Sequence, residues 1–116
     1  MTFDEILNIP PYSLDKEEKE KLLTERLVEL TKLHQENCSE YRRMLEAIDF
    51  DVNKVQSYKE LPFIPVRMFK EHDLKSVRSE DVVKTMTSSG TTGQAVSKIY
   101  LDRATSSNQQ KTMVKI

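Results

Sequence analysis

Val82-Val83-Lys84-Thr85-Met86-Thr87-Ser88-Ser89-Gly90-Thr91-Thr92-Gly93-Gln94-Ala95-Val96-Ser97-Lys98-Ile99-Tyr100-Leu101 reads as two strands around a loop. The β-branched content of Val82 to Thr87 and of Ser97 to Leu101 suits extended backbone, and the simplest arrangement is an antiparallel hairpin with Ser88 to Val96 at its tip. Gly90 and Gly93 are the only 2 glycines in the chain. Glycine reaches positive φ without a steric penalty, so consecutive N–H groups can converge on an anion, and the small hydroxyls of Ser88, Ser89, Thr91 and Thr92 add donors without filling the space that phosphate oxygens need. The same residue types also build ordinary polar turns. The stretch is not a Walker loop, because that pattern has four residues between its glycines and a lysine directly after the second, where Gln94 stands here.

Upstream the periodicity is helical. Thr2 and Glu5 predict a capping box for a short helix through Phe3, Ile6 and Leu7, ended by Pro10 and Pro11. Ser13 is the expected start of the longest helix, running from Leu14 to about Asn37 with Leu23, Leu27, Leu30 and His34 at helical spacing; its charged first section, Asp15 to Glu20, reads as a solvated face. Ser39 is expected to cap a third helix carrying Tyr41, Met44, Leu45 and Ile48, with Asp49, Phe50 and Asp51 as the turn that ends it.

The chain changes character near Ser57, which divides it into residues 1–56 and 57–116. Leu61 to Pro65 cannot be a continuous helix, since a residue before proline is pushed towards extended backbone, but Pro65 can begin a short helix carrying Val66, Met68 and Phe69. Phe63, Ile64 and Phe69 are expected in the core. Beyond the hairpin, Ser106 and Gln109 predict another capping box, for a helix carrying Met113, Val114 and Ile116 that is still apolar when the chain stops. The expected fold class is therefore α/β: a mainly helical N-terminal region followed by a β-hairpin.

Composition narrows the function classes. With 116 residues, 37% hydrophobic and 32% charged, one small soluble domain with a modest core is expected. The 18 basic and 19 acidic residues are interspersed and leave a net charge of -1, so no broad electrostatic basis exists for nucleic acid or an anionic membrane. No apolar run approaches the roughly 20 residues of a membrane span, and no signal peptide is evident, so a cytoplasmic location is expected. Cys38 is the only cysteine, which excludes an internal disulfide.

Leu61-Pro62-Phe63-Ile64-Pro65-Val66-Arg67-Met68-Phe69-Lys70, then Thr87 to Gly93, then Ser97, Lys98, Ile99, Asp102 and Arg103 together resemble the N-terminal part of the LuxE-type acyl-protein synthetases of bacterial luminescence systems. These belong to the adenylate-forming superfamily. Glu40, Tyr41 and Arg42 add weaker support. The phenylacetate-CoA ligase branch shares the Ser88 to Gly93 string and is the alternative within the superfamily. The resemblance implies that 57–116 is the start of an adenylation domain and that the chain is an N-terminal, truncated piece of a longer enzyme, inactive alone. It further implies ATP and Mg²⁺ as cofactors, a fatty acid or other carboxylic acid as substrate, and an acyl-reductase as partner of the full-length protein. Ser88, Ser89, Gly90, Thr91, Thr92 and Gly93 would bind the ATP phosphates. The superfamily commonly continues this loop with proline and lysine, where Ala95 and Val96 stand, so Lys98 is the candidate cation if the loop bends back. The family's acyl-accepting cysteine lies downstream of the matching region, and Cys38 does not inherit its role.

Other constellations point nowhere specific. His34 and Cys38 could share a helix face, but with His72 as the only further histidine a four-ligand zinc site is not expected. A serine hydrolase is not expected either, because the chain lacks a Gly-x-Ser-x-Gly elbow and neither histidine sits in a recognisable nucleophile–base setting. A rival of another class is a non-catalytic helical interaction module that buries Met113, Val114 and Ile116 against a partner.

Overall fold

The computed structural model describes residues 1–88 and 96–116. Helix α1 (Phe3–Leu7) starts on the reciprocal cap that its sequence allows: the Glu5 N–H donates to Thr2 Oγ1 at 3.2 Å and the Thr2 N–H to Glu5 Oε2 at 2.9 Å. After Pro10 and Pro11 the chain turns sharply, with Tyr12 at φ 62° and the Ser13 N–H on the Pro10 carbonyl at 3.2 Å. Ser13 does not start the next helix, because its hydroxyl also donates to the Pro10 carbonyl, at 2.7 Å. Asp15 caps α2 (Lys16–Asn37) instead, and Glu18 closes the box. A carboxylate there accepts the free N–H and also opposes the positive end of the helix dipole.

Cys38 alone separates α2 from α3 (Ser39–Ala47), and Ser39, expected to be the cap, is the first helical residue. The end of α3 is closed by two backbone bonds, from the Asp49 N–H to the Glu46 carbonyl and from the Phe50 N–H to the Leu45 carbonyl, both 3.1 Å. This is a Schellman closure in which Asp49, at φ 56°, occupies the left-handed position usually given to glycine.

The two helices pack on each other, and short 3₁₀ turns at Val52–Lys54 and Tyr58–Glu60 return the chain along α2. Ser57 Oγ donates to Glu20 Oε1 at 2.8 Å and the Tyr58 N–H to Thr24 Oγ1 at 3.0 Å, which fixes that return. Thr31, Cys38, Leu45 and Val52 are buried, and Leu45 is the most enclosed at 1% exposure. Because α2 has 22 residues and α3 only 9, much of the α2 apolar stripe, Leu23, Leu27, Leu30 and Leu33, stays partly exposed.

Pro65 lies in a turn ahead of α4 (Met68–Glu71), its carbonyl accepting the Met68 N–H at 3.0 Å. Phe63 is not core: it is 98% exposed, whereas Pro62, Ile64 and Phe69 are partly covered. Extended backbone sends successive side chains to opposite sides, so turning Pro62 and Ile64 inward turns Phe63 out.

A third 3₁₀ turn, Ser79–Asp81, leads into β1 (Val82–Thr87), which pairs antiparallel with β2 (Lys98–Asp102). The register runs from Val82 opposite Asp102 to Thr87 opposite Lys98, with a bulge between Val82 and Lys84. Helix α5 (Arg103–Lys115) follows at once, because Asp102 accepts the Thr105 N–H at 2.8 Å; it therefore begins three residues ahead of the predicted Ser106 cap. It packs on both strands, and Lys111 Nζ reaches Asp4 Oδ1 of α1 at 3.3 Å. Met113, Val114 and Ile116 are exposed. The architecture is mainly helical with one two-stranded antiparallel hairpin among the described residues, as the α/β reading expected. No helix among them is long and apolar enough to cross a membrane.

Two substitutions test this account by denaturant unfolding. Leu45→Ala should cost about 2–5 kcal/mol, the range for truncating a fully buried leucine. Asp49→Gly should stabilise by about 0.5–1 kcal/mol, since it removes a left-handed strain that exceeds glycine's entropic cost. A destabilised Asp49→Gly protein would contradict the proposed closure of α3.

Candidate functional site

The strands bring the two ends of the serine- and glycine-rich loop together. Beyond the last pair, Thr87 with Lys98, the Ser88 N–H donates to the Ser97 carbonyl at 3.0 Å and the Ser97 N–H donates to Ser88 Oγ, also at 3.0 Å. The Ser88 hydroxyl thus fastens the loop mouth and keeps its own proton as a donor. Lys98, exposed at the start of β2, stands at that mouth. Ser89, Gly90, Thr91, Thr92 and Gly93 lie outside the described residues. A hydroxyl donor and an exposed ammonium at the rim suit an anionic ligand; the flanking positions Thr87, Ser88, Ser97 and Lys98 carry no carboxylate to oppose one.

A second polar assembly, not foreseen from the sequence, stands behind the hairpin. The Tyr100 hydroxyl donates to Asp73 Oδ1 at 2.8 Å, and Lys75 Nζ sits 5.2 Å from the centre of the Tyr100 ring. The bond to Asp73 pushes the phenol's pKa above its ordinary value. Three residues beyond Asp73, Ser76 Oγ lies 2.6 Å from His34 Nδ1, and the His34 ring meets Tyr41 edge-on at 6.4 Å between centroids. A histidine therefore stands beside a serine hydroxyl, a juxtaposition that the sequence did not reveal. A nucleophile–base pair also needs a group to orient the base, and among the described residues no hydrogen bond holds the other ring nitrogen of His34. The pairing joins residues 42 apart, which periodicity within one helix cannot reveal.

Cys38 is buried in the α2–α3 corner, its Sγ 3.8 Å from Glu40 Oε2. No group of three His, Cys, Asp or Glu side chains suited to a metal ion occurs among the described residues. Elsewhere lies an open, largely apolar groove of about 390 Å³, lined by Ile6, Ile9, Leu14 and Leu22 among others.

In a comparison with known families, the family described as "Acyl-protein synthetase, LuxE" matches residues 2–116. The chain belongs to that family. No curated protein and no solved structure matches it. The match covers the α2–α3 region as well as the hairpin, so the family pattern extends over residues 2–56, where the sequence offered only Glu40, Tyr41 and Arg42 as support. Membership implies a ligase class of enzyme, an acyl-protein synthetase.

His34 offers a pH test. Although the residue is exposed overall, burial of its ring holds it below the ordinary histidine pKa, near 6.5. The unfolded chain then binds more protons than the folded one as pH falls through that value. The contribution is fully present above the unfolded pKa and is lost as pH falls towards the folded one. Between about pH 7 and about pH 5, denaturation midpoints should fall more for the unsubstituted protein than for His34→Gln. Parallel curves would show that the His34 ring is not desolvated.

Proposed function

We propose that this chain supplies the nucleotide-phosphate loop of an ATP-dependent acyl-protein synthetase, which activates a fatty acid as its acyl-adenylate and passes the acyl group to a protein thiol. The observation that carries the reading is the acyl-protein synthetase match over residues 2–116, taken with a hairpin whose described rim pairs Ser88 with Ser97 beside the exposed Lys98.

In the first step a carboxylate oxygen attacks the α-phosphorus of ATP. The bond from that phosphorus to the bridging oxygen breaks, and pyrophosphate leaves with the electron pair. In the second a thiolate attacks the acyl carbon and AMP departs. The loop acts by position and charge, since a phosphoryl leaving group needs alignment and electrostatic stabilisation rather than covalent help. Backbone N–H groups around Gly90 and Gly93, with the hydroxyls of Ser88, Ser89, Thr91 and Thr92, would hold the β- and γ-phosphates, and the Lys98 ammonium would lie at the loop mouth. Mg²⁺ bound with the nucleotide would offset further negative charge. The accepting thiol is not Cys38, which the α2–α3 corner encloses. A reductase that consumes the acyl thioester is the natural partner, and the cytoplasm, where ATP is available, the natural setting.

The test uses the polypeptide made from the native gene, supplied with fatty acid, ATP and labelled pyrophosphate. Replacing Gly90 and Gly93 together with valine should lower pyrophosphate exchange at least about a hundredfold, the scale for losing preorganised donors, with little change in circular dichroism. Lys98→Ala should raise KM for ATP about tenfold, as for one charge-assisted hydrogen bond. Exchange that is unchanged in the valine double variant would remove the loop from the mechanism.

A further inference from the structure

The short segment from Asp73 to Ser76 touches the hairpin with one end and the helical corner with the other. Asp73 takes the Tyr100 hydroxyl of β2 at 2.8 Å, Lys75 covers the face of the same ring, and Ser76 meets His34 of α2 at 2.6 Å. Tyr41 of α3 backs the His34 ring, so the far end of the segment rests on both helices. On β2, Tyr100 pairs with Thr85 and stands two residues from Lys98, on the same face of the strand as that lysine.

A two-stranded ribbon is marginal by itself and takes its orientation from what it packs against. Here β1 is almost wholly exposed, Leu101 is the only buried residue of the pair, and α4 and α5 supply the other contacts. The hydrogen bonds at Tyr100 and His34 are therefore a large share of what relates the hairpin to the α2–α3 corner.

We propose that His34, Ser76, Asp73 and Tyr100 form a positioning clamp that sets the hairpin, and with it the loop mouth at Ser88 and Lys98, against the N-terminal helices. None of the four is assigned a contact with nucleotide, so they act through the strand. The consequence for nucleotide affinity rests on the phosphate-loop reading; the mechanical coupling does not.

Amide hydrogen exchange reads the coupling and ATP kinetics read its consequence. His34→Ala, made on α2, should speed exchange of the β2 amides at Ile99 and Tyr100 about fivefold, the scale of one net hydrogen bond, while His34→Asn, which keeps a hydrogen-bonding group near the Nδ1 position, should restore it. Tyr100→Phe removes only a hydroxyl and should do the reverse, speeding exchange in the last turns of α2, so the test survives if His34→Ala fails to fold. The two changes together should be less than additive. In the native gene product both should raise KM for ATP about fivefold and leave kcat unchanged. Hairpin exchange that ignores His34→Ala, or α2 exchange that ignores Tyr100→Phe, overturns the clamp. Altered exchange with an unchanged KM, in an enzyme that still loses activity on the Gly90 and Gly93 substitutions, overturns its link to nucleotide. If those glycine substitutions have no effect, the phosphate-loop reading fails while the clamp stands on the exchange data.

Discussion

Arg42 holds the corner on which the helical half is built. From α3 its guanidinium reaches back to the free end of α2, donating from Nε to the Gln35 carbonyl and from Nη2 to the Glu36 carbonyl, each at 2.9 Å. The last carbonyls of a helix have no partner within it and carry the negative end of its dipole, so a planar cation with diverging donors suits them in both geometry and charge. With the corner closed in a single residue, Cys38 and Leu45 are buried, as is Thr31, and Tyr41 is brought onto His34.

Polar bonds carry an unusual share of the tertiary structure because so little apolar surface is enclosed. Outside the corner, the buried side chains among the described residues are Val52 and Leu101. The connections between distant parts of the chain run through Glu20 with Ser57, Thr24 with Tyr58, Asp73 with Tyr100, His34 with Ser76 and Asp4 with Lys111. Each contributes on the order of 1 kcal/mol net, and less where both groups are exposed, so the parts are joined by many weak ties rather than by one core.

That construction bears on the chemistry expected of an acyl-protein synthetase. On the proposed reading, a loop that takes a charged nucleotide and releases pyrophosphate works best on a support that holds its rim without filling the space above it. The rim is held here by backbone and hydroxyl bonds between Ser88 and Ser97, which leave the Lys98 ammonium exposed at the mouth. The thiol of the chain is buried in the α2–α3 corner, where packing rather than reactivity explains it.

Local physics was legible in the amino-acid sequence by itself: the N-terminal capping box of α1, the extent of β1, the antiparallel hairpin and the solvated first section of α2 follow from propensity and short-range hydrogen bonding. The family, too, was legible from the proline-rich Leu61 to Lys70 stretch and the loop, because motif order survives without a structure. Cap competition was not. Whether Ser13 or Asp15 starts α2, and Asp102 or Ser106 starts α5, depends on which hydroxyl or carboxylate is already engaged, and Ser13 is engaged by Pro10. Only tertiary structure decided that Phe63 faces water, that Arg42 closes the corner, and that His34 meets Ser76 while Tyr100 meets Asp73, since contacts across 27 or 42 residues leave no period in the chain.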